Sequence, residues 1–422
     1  MNAKLLAEAN PAAPANDPLD IELPAALAIS KSGKAEPTHA NAGLVLAGLP
    51  GSIRLERFSQ RVVCEGLGAW HMPDGEWGDT RTTALVSLCE QNGLPVSPTV
   101  VDRAVLFHAE KHAYNVLTDF AEQCAAQWDG VARVDRAFTT YWRAADTSAT
   151  RAVARVFFLS LLRRALDPGA KVDTCAVFVG AQGVGKSRAL RALVGPAWFA
   201  DSPLPIGDKD GMQALPGTWL WEFAENESIS KRDAEATKAY LSQSLDKYRP
   251  SFGRHTVTVP RQTCFASTTN DAQTLNDPTG ARRFLPVTVG AVDVDGIERD
   301  RLQLLGEAAS RVLAGEQHWP TPAETAALAD VREDHRAADP WEEPMRAWLE
   351  THGNKPIELM ALFETDTTAD KSKVAGPLPM PAAKVGKREQ GRASAVLRAL
   401  GWERRRSKVR ASRGRYLWHP PT

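Results

Sequence analysis

Short apolar runs alternate with segments of helical spacing between residues 175 and 313. Runs of this length, bounded by glycine, proline or polar residues, are typical of buried strands. The four expected strands lie at 175–179, 219–223, 262–268 and 284–287, and helical patterns lie at 187–194 and 301–313. Strands that alternate with helices favour a parallel sheet with helices on its faces, so the pattern predicts an α/β domain.

The pattern changes on the amino-terminal side of this domain. Residues 41–145 carry large aromatic side chains and helical patterns near 85–89 and 100–112, with a short strand-like run at 61–64. These features predict a mostly helical accessory domain. The apolar segment 152–166 has arginines at its edges, which predicts a helix packed on the sheet through one face.

Composition divides the rest of the chain. Residues 1–40 are rich in Ala, Pro, Asn and Asp and lack aromatic side chains, which indicates a disordered leader. The α/β domain is expected at 146–315, a helical extension at 316–363 and a flexible linker at 364–391. Residues 392–422 combine a helical pattern with two short basic strands, so we predict a winged-helix-like tail.

The whole-chain composition excludes several classes of protein. At 422 residues the chain is too long for one ordinary core, and its formal net charge is zero, so any nucleic-acid contact must come from local patches. Five scattered cysteines without metal-type spacing predict reduced thiols, as in a cytoplasm. The apolar runs are all too short to span a membrane.

The segment from Gly180 to Ser187 fits the pattern Gly-x4-Gly-Lys-Ser/Thr in full. It follows an expected strand and precedes an expected helix, which is the context that phosphate binding requires. Lys186 would neutralise the β- and γ-phosphates of ATP, and Ser187 would bind Mg²⁺. The expected nucleotide-binding residues are Gly180, Gln182, Gly183, Gly185, Lys186 and Ser187. The alternative is a chance glycine-rich turn.

Polar side chains follow the next two expected strands. Glu222 and Glu225 end the second strand, where one would bind Mg²⁺ through water and the other would orient the attacking water. Their spacing leaves open which carboxylate has which role. Asn270 ends the third strand and can bond both the γ-phosphate and the water. The alternatives are exposed carboxylates and a turn-capping asparagine.

Arg282 and Arg283 precede the last strand. A planar, permanently charged guanidinium suits the γ-phosphate in the site of a neighbouring subunit. The alternative is a pair of surface arginines.

Two basic stretches are candidates for nucleic-acid contact. The first, between the acids and Asn270, interleaves cations with aromatic rings, which suits single-stranded DNA. Its candidate residues are Lys238, Arg249, Arg254 and His255, with Arg261 at its end and a hairpin tip at 251–255. The second is the tail, whose candidates are Arg404, Arg405, Arg406 and Arg410. The alternatives are a solvated loop and a basic tail without a specific partner.

Several of these motifs together resemble the virulence-associated E family, P-loop proteins of prophages, plasmids and phage satellites. The matching stretches are 128–133, 168–173, 180–187, 219–225, 248–254 and 277–284, within residues 105–350. That family is similar to superfamily 3 helicases, which are ring-forming replication ATPases. The resemblance therefore implies an AAA+-like P-loop NTPase core, ATP and Mg²⁺ as cofactors, DNA as partner, a homo-oligomeric, hexameric ring and a location in the bacterial cytoplasm.

The resemblance also implies roles for particular residues. Arg282 or Arg283 would be supplied in trans, and the loop around Arg254 and His255 would line the central channel. Only about 100 residues of expected order precede the ATPase, so no primase activity is implied. We thus expect a DNA-dependent ATPase, with an ATP-switched DNA-binding initiator or regulator as the main alternative and a small-molecule kinase as a weaker one.

Overall fold

The computed structural model describes residues 27–224, 234–249, 255–270, 283–335, 339–353, 355–363, 376–378, 380, 384–406 and 416–421. Its helices are α1 His39–Gly48, α2 Asp79–Gln91, α3 Pro98–Lys111, α4 Val116–Ala126, α5 Ala137–Thr140, α6 Ser148–Leu166, α7 Lys186–Val194, α8 Lys209–Ala214, α9 Ala234–Leu241, α10 Val294–Leu313, α11 Pro322–Asp334, α12 Glu342–Thr351 and α13 Lys387–Ala399. Its strands are β1 Ser52–Glu56, β2 Arg61–Glu65, β3 Gly75–Glu76, β4 Cys175–Val179, β5 Phe199–Ala200, β6 Leu220–Ala224, β7 Leu245–Tyr248, β8 Val257–Pro260, β9 Cys264–Thr269, β10 Phe284–Thr288, β11 Glu403–Arg406 and β12 Tyr416–His419. Among the helices of the described residues, none has the length and hydropathy needed to cross a bilayer.

The centre of the molecule is a five-stranded parallel sheet in the order β10-β4-β9-β6-β5. All side chains of β4 and β9 are buried, as expected for inner strands covered on both faces. The α/β class predicted from the alternating pattern is therefore confirmed. Because the strands are parallel, the residues that follow β4, β6 and β9 meet at one edge of the sheet.

Helix α6 is buried on every side over residues 152–162, which corrects the expectation of a single apolar face. It packs against α4, α10, α11 and the sheet. Two of its arginines are also buried. Arg155 is ion-paired with Glu324 of α11 at 2.7 Å, and Arg164 is held by backbone carbonyl oxygens. The sequence pattern predicted these two arginines at the edges of the apolar face. The structure instead buries them in the core, where hydrogen bonds satisfy their guanidinium groups.

The amino-terminal part has a hydrophobic core of its own. Strands β1, β2 and β3 form an antiparallel sheet, and helices α1, α2 and α3 pack with it around buried residues such as Leu46, Leu67 and Val105. Helix α1 begins at His39, inside the segment predicted to be a leader. By contrast, Phe138 and Trp142 belong to the core of the parallel sheet, so that core extends before residue 146. The domain boundaries themselves stay predictions.

The carboxy-terminal part forms another separate core, with α12, α13 and the antiparallel pair β11–β12 packed around Trp348, Trp402 and Trp418. Helix α13 begins at Lys387, inside the stretch predicted to be a linker. A helix followed by two paired strands is the element order expected for the tail, and its assignment as a winged helix stays a prediction.

Candidate active site

Residues 180–185 form the loop that joins β4 to α7, and the loop backbone favours glycine at Gly180, Gly183 and Gly185. Gly185 has a φ of 99°, which favours a residue without a Cβ. A Cβ on Gly180 would lie 2.7 Å from the carbonyl oxygen of Val289, so the backbones approach too closely for any side chain. The first amides of α7 have no partners within the helix, and its dipole adds positive potential. A loop of this geometry can accommodate an anion.

Neighbouring backbone segments hold this loop in place. The N–H of Gly180 donates to the carbonyl of Thr269 at 3.1 Å, which ties the loop to the end of β9. The N–H of Val292 donates to the carbonyl of Val184 at 2.9 Å, which braces the loop from the segment after β10. The sequence patterns did not indicate the bracing segment, because its contribution is a backbone amide and carries no side-chain signature.

Lys186 is the first residue of α7, and its ammonium group lies within the loop. The Nζ atom donates to the carbonyl oxygens of Gly180 at 2.6 Å and Ala181 at 2.9 Å, and to Oδ1 of Asn270 at 3.0 Å. An ammonium group has three donors, so these contacts use its full capacity. Lys186 and Asn270, which lie 84 positions apart, are thus brought together as the sequence predicts for one site.

Glu222 lies beside this pair, on the neighbouring β6, and is 1% exposed. Its Oε1 accepts a hydrogen bond from Oγ of Ser187 at 2.6 Å and another from Oγ1 of Thr268. Its Oε2 is buried and has no hydrogen-bond partner among the described residues. Thr268 was expected only as part of a strand, and its hydroxyl proves to orient the carboxylate.

Burial shifts both charged groups toward their neutral forms. It raises the pKa of the Glu222 carboxyl above its usual value, although the hydrogen bonds from Ser187 and Thr268 and the charge of Lys186 act in the opposite direction. Burial also lowers the pKa of the Lys186 ammonium, which the charge of Glu222 partly offsets. A divalent cation at this position would stabilise the charged form of Glu222, and a phosphate would stabilise the charged form of Lys186.

Lys186, Ser187 and Asn270 border an open cleft of about 280 Å³ at the carboxyl edge of the sheet. Its lining consists of Gln182, Gly183, Gly185, Lys186, Ser187, Arg188, Ala224, Thr268, Thr269 and Asn270. A cation, a helix amino terminus and a neutral amide converge there, and the buried Glu222 carboxylate lies behind the hydroxyls of Ser187 and Thr268. This set of groups can bind a polyphosphate together with a divalent cation.

The remaining predicted site residues are distributed differently. Glu225, Arg254, Arg282 and Arg410 lie outside the described residues, and so does the side chain of Lys238. Arg283 is half-buried and directly precedes β10. It therefore lies at the amino edge of the sheet, away from the cleft of its own chain.

The basic stretch between Glu222 and Asn270 contains an antiparallel pair, β7 and β8, as expected for the arms of a hairpin. Arg249 and His255 are exposed beyond the ends of these arms. The structure corrects the expectation that Arg261 contributes to a nucleic-acid surface. Its side chain is fully buried and ion-paired with Asp246, so it cannot contact nucleic acid. The sequence indicated its charge, whereas its burial depends on a partner within the fold.

Of the tail arginines predicted to contact DNA, Arg404, Arg405 and Arg406 lie on the exposed strand β11. Arg404 stacks over the ring of Tyr416 at 4.3 Å, whereas Arg405 donates to Glu403. The charge of Arg405 is thus partly neutralised within the strand, and Arg404 and Arg406 lie on the opposite face of the pair.

Comparison with known proteins gives an independent result. No curated protein matches the chain. The apo structure of the NrS-1 C-terminal region is similar to it at 11% identity and a TM-score of 0.41, covering 76% of this chain and 80% of that chain. The A form apo structure of the same region gives 11% identity, a TM-score of 0.42, and coverage of 74% and 80%. The model of the virulence-associated protein E-like domain matches residues 121–337, which is more than half of the sequence. The chain therefore belongs to the virulence-associated protein E-like family.

Proposed function

We propose that this protein is a DNA-dependent ATPase, and that it acts as a ring-forming helicase in the replication of a bacterial mobile element. One observation carries the proposal: Lys186 of the loop, Ser187, Glu222 and Asn270 converge at one edge of a parallel sheet. A phosphate loop alone binds nucleotide. Hydrolysis also needs an acid and a polar group aimed at the γ-phosphate, and both are within hydrogen-bond distance of the loop residues.

The donor set fits Mg²⁺. Hard cations prefer oxygen ligands, and Ser187 Oγ and Glu222 Oε1 lie 2.6 Å apart beside the unpartnered buried Oε2. We infer that Ser187 and Glu222 hold the cation, directly or through water, when ATP is bound. When bound, Mg²⁺ would neutralise charge on the phosphate oxygens.

The position of Arg283 is the basis for proposing that the protein forms an oligomer. Five residue steps along β10, from Arg283 to Thr288, separate it from the cleft edge by roughly 17 Å, at about 3.3 Å per residue. An arginine at the amino edge of the sheet cannot reach the phosphates of its own chain. We propose that Arg282 or Arg283 acts in the site of a neighbouring subunit of a hexamer, as a trans arginine does elsewhere.

DNA contact is proposed for two surfaces. The hairpin residues Arg249, Arg254 and His255, with Lys238 nearby, would line the channel and contact single-stranded DNA. The basic tail, with Arg404, Arg405, Arg406 and Arg410, would contact a duplex through its phosphates. The winged-helix assignment of the tail belongs to this proposal.

Purified protein should hydrolyse ATP faster when single-stranded DNA is added. If about four phosphates are contacted, the affinity for the strand should fall about 50-fold between about 50 and about 200 mM salt. Phosphate release measured over a titration of an unstructured oligonucleotide tests both statements. Hydrolysis that no DNA accelerates at low salt would rule out a DNA-dependent ATPase, and a salt-independent affinity would exclude the backbone contacts.

Asn270→Ala should slow turnover and leave nucleotide binding intact. The Asn270 amide oxygen accepts from Lys186, which leaves the NH₂ group to donate to a phosphate oxygen as charge develops. Loss of one such oriented donor lowers kcat by about 10²–10³-fold. The measurement is kcat and KM for ATP, together with the Kd of a fluorescent ADP analogue. A raised KM at unchanged kcat would show that Asn270 contributes only to binding.

A further inference from the structure

Two buried arginines lie at the base of the hairpin β7–β8. Arg164 is at the end of α6, and Arg261 immediately follows β8. Both are at most 1% exposed. They lie at the amino edge of the sheet, opposite the cleft, because β9 begins three residues after Arg261.

Arg164 binds the backbone on both sides of the hairpin. Its Nη1 donates to the carbonyl of Thr263, just before β9, and its Nη2 donates to the carbonyl of Gln243 at 3.0 Å, just before β7. Its Nε donates to the carbonyl of Ala170 at 3.2 Å. In the described part of the chain, every acceptor of Arg164 is a backbone carbonyl. Arg164 therefore fixes the positions of these backbone segments relative to one another.

Arg261 closes the same base from the other arm. It forms a bidentate ion pair with Asp246 of β7, and its Nη2 donates to Oε1 of Gln243 at 2.9 Å. Its guanidinium also lies 4.4 Å from the ring centroid of Tyr240, at the end of α9. A planar group with several directional bonds fixes orientation more strictly than apolar contacts do. We call Arg164 and Arg261, with these acceptors, the arginine clamp.

Strand β9 connects the clamp to the cleft. Its six residues, Cys264–Thr269, span roughly 17 Å. Thr263, which the clamp holds, directly precedes the strand, and Asn270, which contacts Lys186, directly follows it. The strand lies between β4 and β6, with both neighbours hydrogen-bonded to it. Strand β9 is therefore the element that links the clamp directly to the residue in contact with Lys186.

We propose that Arg164 and Arg261 are positioning residues that fix the hairpin on the amino end of β9, so that the hairpin and Asn270 respond together to bound nucleotide. The inference rests on the proposed function, which supplies the nucleotide and the DNA. Nucleotide phosphates compete with Asn270 for Lys186, and β9 is the shared element through which that change reaches the hairpin.

Hydrogen exchange followed by mass spectrometry tests the clamp without DNA. In the wild type, a non-hydrolysable ATP analogue should change the exchange rate of the β7 and β8 amides by roughly fivefold, within the range typical of coupling between distant sites. Arg164→Lys keeps the charge but loses the fork, and it should abolish that change while the analogue still binds. Arg163→Lys is the matched control, because Arg163 is exposed and paired with Asp167 at the surface.

Each outcome has one meaning for the proposal. If Arg164→Lys binds the analogue and keeps the wild-type exchange response, or if the wild type binds it without any response, the clamp is refuted. If Arg164→Lys does not fold, Gln243→Ala takes its place, because Gln243 is half-buried and its truncation removes one acceptor of Arg261. That variant should reduce the response, and an unchanged response would equally refute the clamp.

DNA stimulation gives a second, separable readout. Arg164→Lys should lower the ratio of DNA-stimulated to basal ATPase toward one, with the Kd of a fluorescent ADP analogue within about twofold of the wild type. A merely structural defect would lower both rates in proportion and leave the ratio unchanged, which would count against the clamp. Absence of nucleotide binding in the wild type would instead refute the proposed function.

Discussion

Lys186→Ala is expected to reduce ATP hydrolysis by about 10³-fold or more, because a single ammonium group serves both binding and catalysis. The Lys186 Nζ donates to the carbonyl of Gly180 in the loop and to Oδ1 of Asn270, so the substitution removes the ammonium group that we propose for phosphate binding. A charged hydrogen bond contributes about 1.5–3 kcal/mol, which predicts a roughly 10- to 100-fold loss in nucleotide affinity.

The control for this variant lies on the same helix. Arg191 is exposed in the last turn of α7, and Arg191→Ala should hydrolyse ATP at the wild-type rate. Isothermal titration with ADP and a phosphate-release assay measure the two effects separately. If Lys186→Ala retains wild-type turnover, the loop is not the catalytic site, and the proposed ATPase activity must be abandoned.

Much of this site could be predicted from the sequence, because its parts are encoded locally. The loop has a fixed residue pattern, and β4 is a continuous apolar run. Asn270 and Glu222 could be assigned to the same edge because parallel strands end together. The structure adds the contacts that no spacing encodes, such as the hydroxyl of Thr268 on the Glu222 carboxylate.

Burial of charged residues is the part that the sequence could not specify. Arg163 and Arg164 are adjacent and chemically identical, yet Arg163 pairs with Asp167 at the surface and Arg164 is fully buried. A rotation of about 100° along a helix separates the two environments. Only the carbonyls brought close by the fold, such as that of Thr263, make the buried position tolerable.

Very short strands and the exact ends of helices also could not be predicted from the sequence. Strand β5 has two residues, Phe199 and Ala200, too few to show any periodicity. The start of α10 was expected at Arg301 but lies at Val294, where the side chain of Asp293 caps the helix by accepting from the N–H of Gly296. Helix boundaries depend on such caps, and an apolar pattern locates them poorly.

Glu222→Gln is expected to separate catalysis from stability. Hydrolysis should fall by about 10²–10³-fold, since the neutral amide cannot hold the cation or polarise the attacking water. Nucleotide affinity should change little, because the bonds that Oε1 accepts from Ser187 and Thr268 can be kept. Glu225→Gln is measured in the same assay. The acid that activates the water is the one whose substitution by glutamine lowers turnover more.

The same substitution should raise the Tm, by about 2–4 °C for roughly 1 kcal/mol. Glu222 is buried with one oxygen unpartnered among the described residues, and an unpaired buried charge costs more than a neutral amide. Glu298→Gln is the matched control, because Glu298 is exposed on α10, and it should change neither Tm nor turnover. A Tm of Glu222→Gln below that of the wild type would contradict the argument.

The pH dependence of this gain follows from the direction of the pKa shift. Burial raises the pKa of Glu222 in the folded state above its usual 4.5, so the folded protein holds that proton more tightly than the unfolded chain. The wild type therefore loses stability as the pH rises through the raised pKa, and the glutamine variant does not. The Tm difference between the two proteins should be largest at about pH 8 and should shrink toward about pH 4, as differential scanning fluorimetry can measure. A difference that grows as the pH falls would mean that its neighbours stabilise the carboxylate in the fold, first the hydroxyls of Ser187 and Thr268 and then the charge of Lys186, by more than burial destabilises it.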